Sequence, residues 1–213
     1  AGAQSLGIPR NRDYNGATQE GVSYAQRTIH NGRRISAATA FLHPAMKRGN
    51  VTVRTRAHAT EIIFEGKRAV GVRYAKGGRG GKAVEVRASK EVILSGGTYN
   101  SPQLLQLSGV GPAALLQSLG IPVRHALAGV GEGLQDHYAP RSVARVKNTK
   151  TINGRARGLN LALEALKWAT TRRGILALSP TLVYCFWHSG ETAESSDLQL
   201  TFTPASYMEG EQG

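Results

Sequence analysis

Residues 96–102 have the types and spacing that suit the binding of an anion. Gly96 and Gly97 follow a strand-like run at residues 91–95, and Ser101 and Pro102 come shortly after them. Glycines let a backbone turn sharply where a Cβ would collide with a ligand or a neighbouring strand. Serine is a favoured helix N-cap and proline suits the first helical position, so we predict a helix that begins at Ser101. A strand, a glycine turn and a helix N-terminus in this order indicate the corner that holds dinucleotide phosphates in α/β proteins.

The elements that would position this corner alternate between short strands and helices. Runs rich in β-branched residues predict strands at 21–29, 51–56, 61–64, 69–74, 83–87, 141–147, 181–188 and 198–203. Capping residues and apolar spacing predict helices at 36–47, 113–119 and 159–171, besides the one at Ser101. Glycine-containing turns at 65–67 and 76–81 would join three of the strands into hairpins. We therefore expect a mixed chain, α/β in part and α+β overall.

Composition excludes several classes of function. The net charge of +13 comes from Lys and Arg residues that are scattered singly or in pairs, so we expect no nucleic-acid partner. No apolar run approaches the ~20 residues of a membrane span, so we expect no transmembrane segment. Cys185 is the single cysteine and lies in an apolar run, which predicts a buried packing thiol in a reducing compartment. The expected location is cytoplasmic, with membrane association of a longer parent protein as the alternative.

A second glycine motif has the spacing of a dinucleotide fingerprint without its setting. Gly109, Gly111 and Ala114 satisfy G-x-G-x-x-A, but the motif follows a predicted helix rather than a strand. Pro112 also removes an N–H at a position where a phosphate needs one. We reject this motif as a phosphate loop, and no strand–GxGxxG–helix unit occurs elsewhere in the sequence.

The corner itself resembles the second signature of the glucose–methanol–choline (GMC) family of flavin-dependent oxidoreductases. The positions that match this signature are Gly97, Thr98, Ser101, Pro102, Leu104, Leu105, Ser108, Gly109, Val110 and Gly111. The similarity extends from about Gly7 to Pro204 and includes a loop with Asp136 and His137, in which Gly133 replaces the family's usual Asn.

The resemblance implies part of an FAD-binding, Rossmann-like domain with a β-meander at 36–139. Residues 1–35 would be the entry segment of a substrate domain, and 140–213 part of that domain's antiparallel sheet. The cofactor would be FAD, and the implied cofactor-binding residues are Ala59, Ser95, Gly96, Gly97, Ser101, Asp136 and His137. Ala59 stands where the family usually has Val, in a strand whose backbone pairs with adenine. Without the resemblance, we would expect these glycines to serve only the packing of a helix on a strand.

On the substrate side, the resemblance implies a cavity lined by Tyr184, Phe186 and Phe202, although each of these side chains taken alone is more typical of a packed core. Choline-type members usually carry a Glu four residues before the position of Phe186, and in this chain that residue is Leu182. A cationic substrate would lack its Coulomb partner in a site that excludes water. We therefore expect a neutral or aromatic primary alcohol rather than choline.

The implied reaction is oxidation of a primary alcohol to an aldehyde by hydride transfer to flavin, with dioxygen or a quinone as the electron acceptor. The family's GxGxxG loop and catalytic His have no counterpart in these 213 residues. We therefore assign no catalytic or metal-binding residue, and expect the chain to be the middle portion of a longer enzyme and inactive alone. Its partners would be the alcohol and the missing parts of the same polypeptide. The alternative is a non-catalytic basic binding module.

Overall fold

The computed structural model describes residues 2–190 and 195–206. The chain divides into two compact units, one formed by residues 52–140 and the other by residues 1–51 together with 141–213. Both contain helices and antiparallel strands, which confirms the predicted mixture of α and β structure. Within the described ranges no helix is both long and apolar enough to cross a membrane, and no cluster of His, Cys, Asp or Glu side chains could hold a metal ion.

The unit of residues 52–140 is built on a three-stranded antiparallel meander. Its strands are β4 (Ala57–Glu65), β5 (Arg68–Lys76) and β6 (Lys82–Arg87), in the order β4-β5-β6. The two predicted hairpins join them, with Gly66 at φ 58° in the first turn. Ile62 and Tyr74 of the meander are buried, so the meander contributes side chains to the core of this unit.

Two helices and a short parallel pair complete this unit. Helix α3 (Gly97–Leu107) leads into β7 (Val110–Gly111), and α4 (Ala113–Ser118) leads into β8 (His125–Ala126). Strands β7 and β8 pair in parallel. Leu116 on α4 is fully buried and anchors this helix in the core.

The other unit has a three-stranded antiparallel sheet in the order β1-β9-β10. These strands are β1 (Gly21–Tyr24), β9 (Val183–Trp187) and β10 (Leu198–Phe202). A small hairpin pairs β2 (Ile29–His30) with β3 (Arg33–Arg34) across a turn at Asn31 and Gly32. Thus the strand predicted at 21–29 is interrupted, with only its two ends paired.

The helices of this unit are short apart from one. They are α1 (Gly2–Ser5), a π-helical turn (Ala38–Leu42) that continues into α2 (His43–Met46), α5 (Ile152–Arg155), α6 (Gly158–Thr171) and a 3₁₀ turn (Ile175–Ala177). Trp168 of α6 donates its indole N–H to the Gly32 carbonyl at 2.7 Å, and the Arg172 guanidinium lies 4.4 Å from its ring. The aromatic end of α6 is therefore fixed on the β2–β3 hairpin.

Three segments that were predicted to be strands are not strands in the structure. Residues 51–56, 91–95 and 141–147 form no ladder with any described residue. Their β-branched side chains favour an extended backbone, but a strand also needs a partner for its N–H and C=O groups. No described segment supplies that partner, so the local preference is not turned into a sheet.

Candidate cofactor site

A cleft between α3 and the outer edge of β4 brings together three of the predicted cofactor residues. It encloses about 470 Å³, within the range of about 300–1,000 Å³ that is usual for small-molecule sites. Its lining consists of Ala57, His58, Ala59, Thr60, Leu94, Gly96, Asn100, Ser101, Gln103, Leu104 and Leu107. Ala59, Gly96 and Ser101 therefore share one cavity. The lining has no Asp, Glu, Lys or Arg, so it suits an uncharged ring better than a phosphate.

The strand side of the cleft is a sheet edge. β4 pairs only with β5, so the backbone groups on its other side have no strand partner among the described residues. A register shift makes Thr60 an extra residue between the pairs Ala59–Tyr74 and Glu61–Arg73. Bulges of this kind re-aim a strand and are frequent beside binding sites. Unpaired backbone donors and acceptors at such an edge can read the edge of a planar ligand.

The helix side of the cleft is fixed to the strand by Ser108. The Ile62 N–H donates to Ser108 Oγ at 2.8 Å, and the Ser108 hydroxyl donates to the Leu104 carbonyl at 2.6 Å. Ser108 and Ile62 are 3% and 2% exposed. This buried hydrogen bond sets the separation of α3 and β4 at one end of the cleft. The sequence signature contains Ser108, but its role as the joint between helix and strand was not predicted.

The glycine turn differs from the sequence prediction. Helix α3 begins at Gly97 rather than at Ser101, its N-cap is Gly96, and Pro102 lies inside the helix. Gly97 has φ 82°, a conformation open to glycine but costly for other residues, and this allows the helix to start a turn early. Ser101 does not cap the helix; its hydroxyl accepts the Gly96 N–H at 3.0 Å. That N–H is consequently not directed at a phosphate.

A side chain at Gly96 would be crowded by the first turn of α3. A Cβ there would lie 3.1 Å from the Asn100 Cβ and 3.2 Å from the Ser101 nitrogen. Ser95 immediately precedes this turn and is exposed. Asp136 and His137 are also exposed, and they contact each other through the His137 N–H and Asp136 Oδ1 at 2.8 Å. Ser95, Gly97, Asp136 and His137 are not among the residues that line the cleft.

The cleft also has polar side chains that were not predicted from the sequence. Asn100 and Gln103 lie one turn apart on α3 and line the cavity together with Leu104 and Leu107. The spacing 100, 103, 104 and 107 is that of one helix face, and it could have been read from the sequence once the helix start was placed at Gly97.

The predicted substrate-cavity residues lie on two faces of the other unit's sheet. Tyr184 and Phe186 pack against the buried Tyr14, with ring centroids 5.6 and 5.4 Å from that of Tyr14. Phe202 is paired with Val183 and lines a different cavity of about 710 Å³ on the face that carries Cys185. The three aromatic residues therefore do not form one wall.

Cys185 is buried, as predicted, and has no disulfide. Burial disfavours the thiolate and raises the pKa of this thiol above its ordinary value. Together with the apolar residues around it, this identifies Cys185 as a packing residue rather than a nucleophile.

Comparison with known proteins supports the family assignment. The sequence model of the family described as GMC oxidoreductase matches residues 1–139. The human mitochondrial choline dehydrogenase is 42% identical over 209 residues, which cover 97% of this chain and 34% of that protein. The oxygen-dependent choline dehydrogenase of Staphylococcus aureus is 41% identical over 198 residues, covering 93% of this chain and 34% of that protein.

Among solved structures, an FAD-dependent oxidoreductase from Chaetomium thermophilum aligns with a TM-score of 0.77 and 28% identity. The alignment covers 87% of this chain and 33% of that one. The chain thus spans about a third of the length of the relatives it matches. FAD, the cofactor expected from the sequence, is the cofactor named for that structural relative. This chain belongs to the GMC oxidoreductase family.

Proposed function

We propose that this chain supplies one wall of the FAD site, and part of the substrate domain, of an oxidoreductase that acts on CH–OH groups. The observation that carries the proposal is the cleft between α3 and β4, which gathers Ala59, Gly96 and Ser101 beside an unpaired strand edge. Its uncharged lining fits the adenosine end of FAD. The chain would contribute residues 36–139 to the FAD domain and 1–35 with 140–213 to the substrate domain.

Each side of the cleft has a distinct role in holding the cofactor. The backbone N–H and C=O groups of β4 near Ala59 would bind the adenine edge, which they can do whatever side chain stands there. Gly96 keeps the turn small enough for close approach, and Ser101 fixes that turn through the Gly96 N–H. When bound, FAD supplies the acceptor for the hydride of the alcohol. Asp136, His137, Ser95 and Gly97 would contact the cofactor from outside the cleft.

For the substrate we propose a neutral or aromatic primary alcohol, oxidised to the aldehyde. The relatives named above are choline dehydrogenases, but Leu182 stands where choline-type members usually carry a Glu. Leu182 is held in place by main-chain hydrogen bonds to Phe202 and Ala25, both at 2.9 Å, next to the aromatic pair Tyr184 and Phe186. An apolar residue here offers no charge to a quaternary ammonium group.

The direct test uses the full-length protein that contains this chain. We expect it to be yellow, with flavin absorbance near ~450 nm, and to oxidise simple primary alcohols. The 213-residue chain alone should bind FAD weakly and turn over no alcohol, because the family's phosphate loop and catalytic His lie outside it. A colourless, inactive full-length protein would contradict the proposal and favour a non-catalytic binding module.

A substitution at Leu182 tests which alcohol the enzyme prefers. Replacing Leu182→Glu in the full-length enzyme should raise kcat/KM for choline roughly tenfold or more, since a desolvated ion pair is worth several kcal/mol. Leu178→Glu, at a leucine that is 40% exposed, is the matched control and should leave the choline rate unchanged. A wild-type enzyme that already prefers choline to benzyl alcohol would contradict the assignment.

A further inference from the structure

The cleft has a polar group that the strand edge does not explain. Gln103 lines the cavity, and within the described part of the chain its side-chain amide has no hydrogen bond. Asn100, one turn earlier, lies over the Gly96 turn, where a Cβ added at Gly96 would be only 3.1 Å from the Asn100 Cβ. Gln103 is an exposed residue one turn nearer to the Ser108–Ile62 joint, and it lines the same cavity as Leu104. The cleft thus has backbone groups on one side and a free amide on the other.

We infer that the Gln103 amide binds the N6/N7 edge of the adenine ring. This inference rests on the proposed function, because it takes FAD to be the occupant of the cleft. Adenine presents a donor at N6 beside an acceptor at N7, and a glutamine amide can pair with both at once. The β4 backbone would then bind the N1 side and the other N6 hydrogen. Leu104 and Leu107 lie on the same helix face and would contact the ring.

The same arrangement predicts selectivity among purines. Hypoxanthine has a carbonyl oxygen where adenine has the N6 amino group, so its O6 and N7 are both acceptors. A glutamine amide presents its oxygen beside its NH2 group, so against hypoxanthine the amide oxygen would face an acceptor, and that contact would be unfavourable. The wild-type site should therefore prefer adenine nucleotides to inosine nucleotides, and Gln103 should be the source of part of that preference.

The experiment measures binding to the full-length apoprotein rather than turnover. FAD affinity is determined from the quenching of flavin fluorescence, and AMP and IMP are compared as competitors. Gln103→Met keeps the length of the side chain and removes its hydrogen bonds. We expect FAD and AMP to bind about tenfold more weakly and IMP to be almost unaffected, because one or two neutral hydrogen bonds are lost. Gln117→Met, on helix α4 outside the cleft, is the matched control and should change none of the three affinities.

The possible outcomes separate the inference from the function on which it rests. A full-length protein that binds no FAD contradicts the proposed function itself. FAD binding that is unchanged in Gln103→Met leaves the function standing and overturns the inference. Equal weakening of AMP and IMP also overturns it, because a general disturbance of the cleft would act on both purines alike.

Discussion

Removal of the Ser108 hydroxyl should destabilise the unit that carries the cofactor cleft. Among the described residues, one buried side-chain hydrogen bond links the backbone of β4 to the end of α3, and Ser108 makes it. In Ser108→Ala the Leu104 carbonyl keeps a partner, since it also accepts the Ser108 N–H at 3.1 Å. The Ile62 N–H loses its partner while it remains 2.8 Å from where the oxygen was, inside a residue that is 2% exposed.

The magnitude follows from that one unsatisfied donor. A buried N–H left without a partner costs about 1–3 kcal/mol, so we expect a loss of about 2 kcal/mol in the free energy of unfolding. This corresponds to a change of roughly thirtyfold in the ratio of folded to unfolded molecules. Loss of the joint should also weaken nucleotide binding, because it sets the separation of the two sides of the cleft.

Urea denaturation followed by far-UV circular dichroism measures the change, and hydrogen exchange of the Ile62 amide locates it. Ser118→Ala is the matched control, since the Ser118 hydroxyl donates to the Leu115 carbonyl at 2.8 Å on an exposed part of α4. Ser118→Ala should change the free energy of unfolding by no more than about 0.5 kcal/mol. If the two variants have the same stability, or if the Ile62 amide exchanges at the wild-type rate in Ser108→Ala, the joint does not stabilise the cleft.

Three further predictions concern single residues. Gly109→Ala should lower the free energy of unfolding by more than about 3 kcal/mol, because Gly109 has φ 84° and a Cβ would lie 2.5 Å from the Pro122 carbonyl oxygen. The control Gly120→Ala, at φ 69° in open space, should lower it by only about 1 kcal/mol. Equal decreases for the two variants in urea denaturation would contradict this prediction. Cys185 should react slowly with a thiol reagent in the native chain at pH 8 and fast in denaturant, because burial raises the pKa of its thiol; fast native labelling would refute its burial. The pKa of Glu164 is lowered chiefly by the hydrogen bond from the Ile175 N–H at 3.0 Å, and also by Arg155. A lowered folded-state pKa stabilises the fold above the ordinary value of 4.5 and ceases to do so as the pH falls through the folded pKa, so the stability gap between wild type and Glu164→Gln should narrow on acidification; a gap that widens would show the opposite sign.

The meander could be predicted from the sequence because its determinants are local. Turns at 65–67 and 76–81 contain the glycines that tight connections need, and the runs between them are rich in β-branched residues. The register shift at Thr60 could not be predicted, since it depends on the pairing of β4 with β5 rather than on either strand alone. The edge that this shift shapes is the strand side of the cleft.

The start of α3 shows how local preference can be overridden. Ser101 and Pro102 are favourable residues at an N-cap and a first helical position, yet the helix starts at Gly97. Gly97 adopts a positive φ that few other residues could, and the Ser101 hydroxyl holds the Gly96 N–H instead of capping the helix. The extra turn brings Asn100 onto the cleft face, beside Gln103.

Faces of a sheet were harder to predict than its strands. Strands were predicted from the sequence close to the positions of β9 and β10. Whether Phe202 lies on the same face as Tyr184 and Phe186 depends on the register between β9 and β10, which the sequence does not reveal. Phe202 pairs with Val183, and directly paired residues point to the same side of a sheet. Phe202 therefore shares its face with Cys185, and the other two aromatic residues pack on Tyr14.

The proposed function places the adenosine end of FAD in the cleft between α3 and β4. The most direct measurement is a crystal structure of the full-length protein with FAD bound. We predict density for the adenine ring between the edge of β4 at Ala59 and the Gln103 face of α3, with Gly96 beside it. Adenine density elsewhere, with this cleft filled by protein side chains, would contradict the placement of adenine in the cleft.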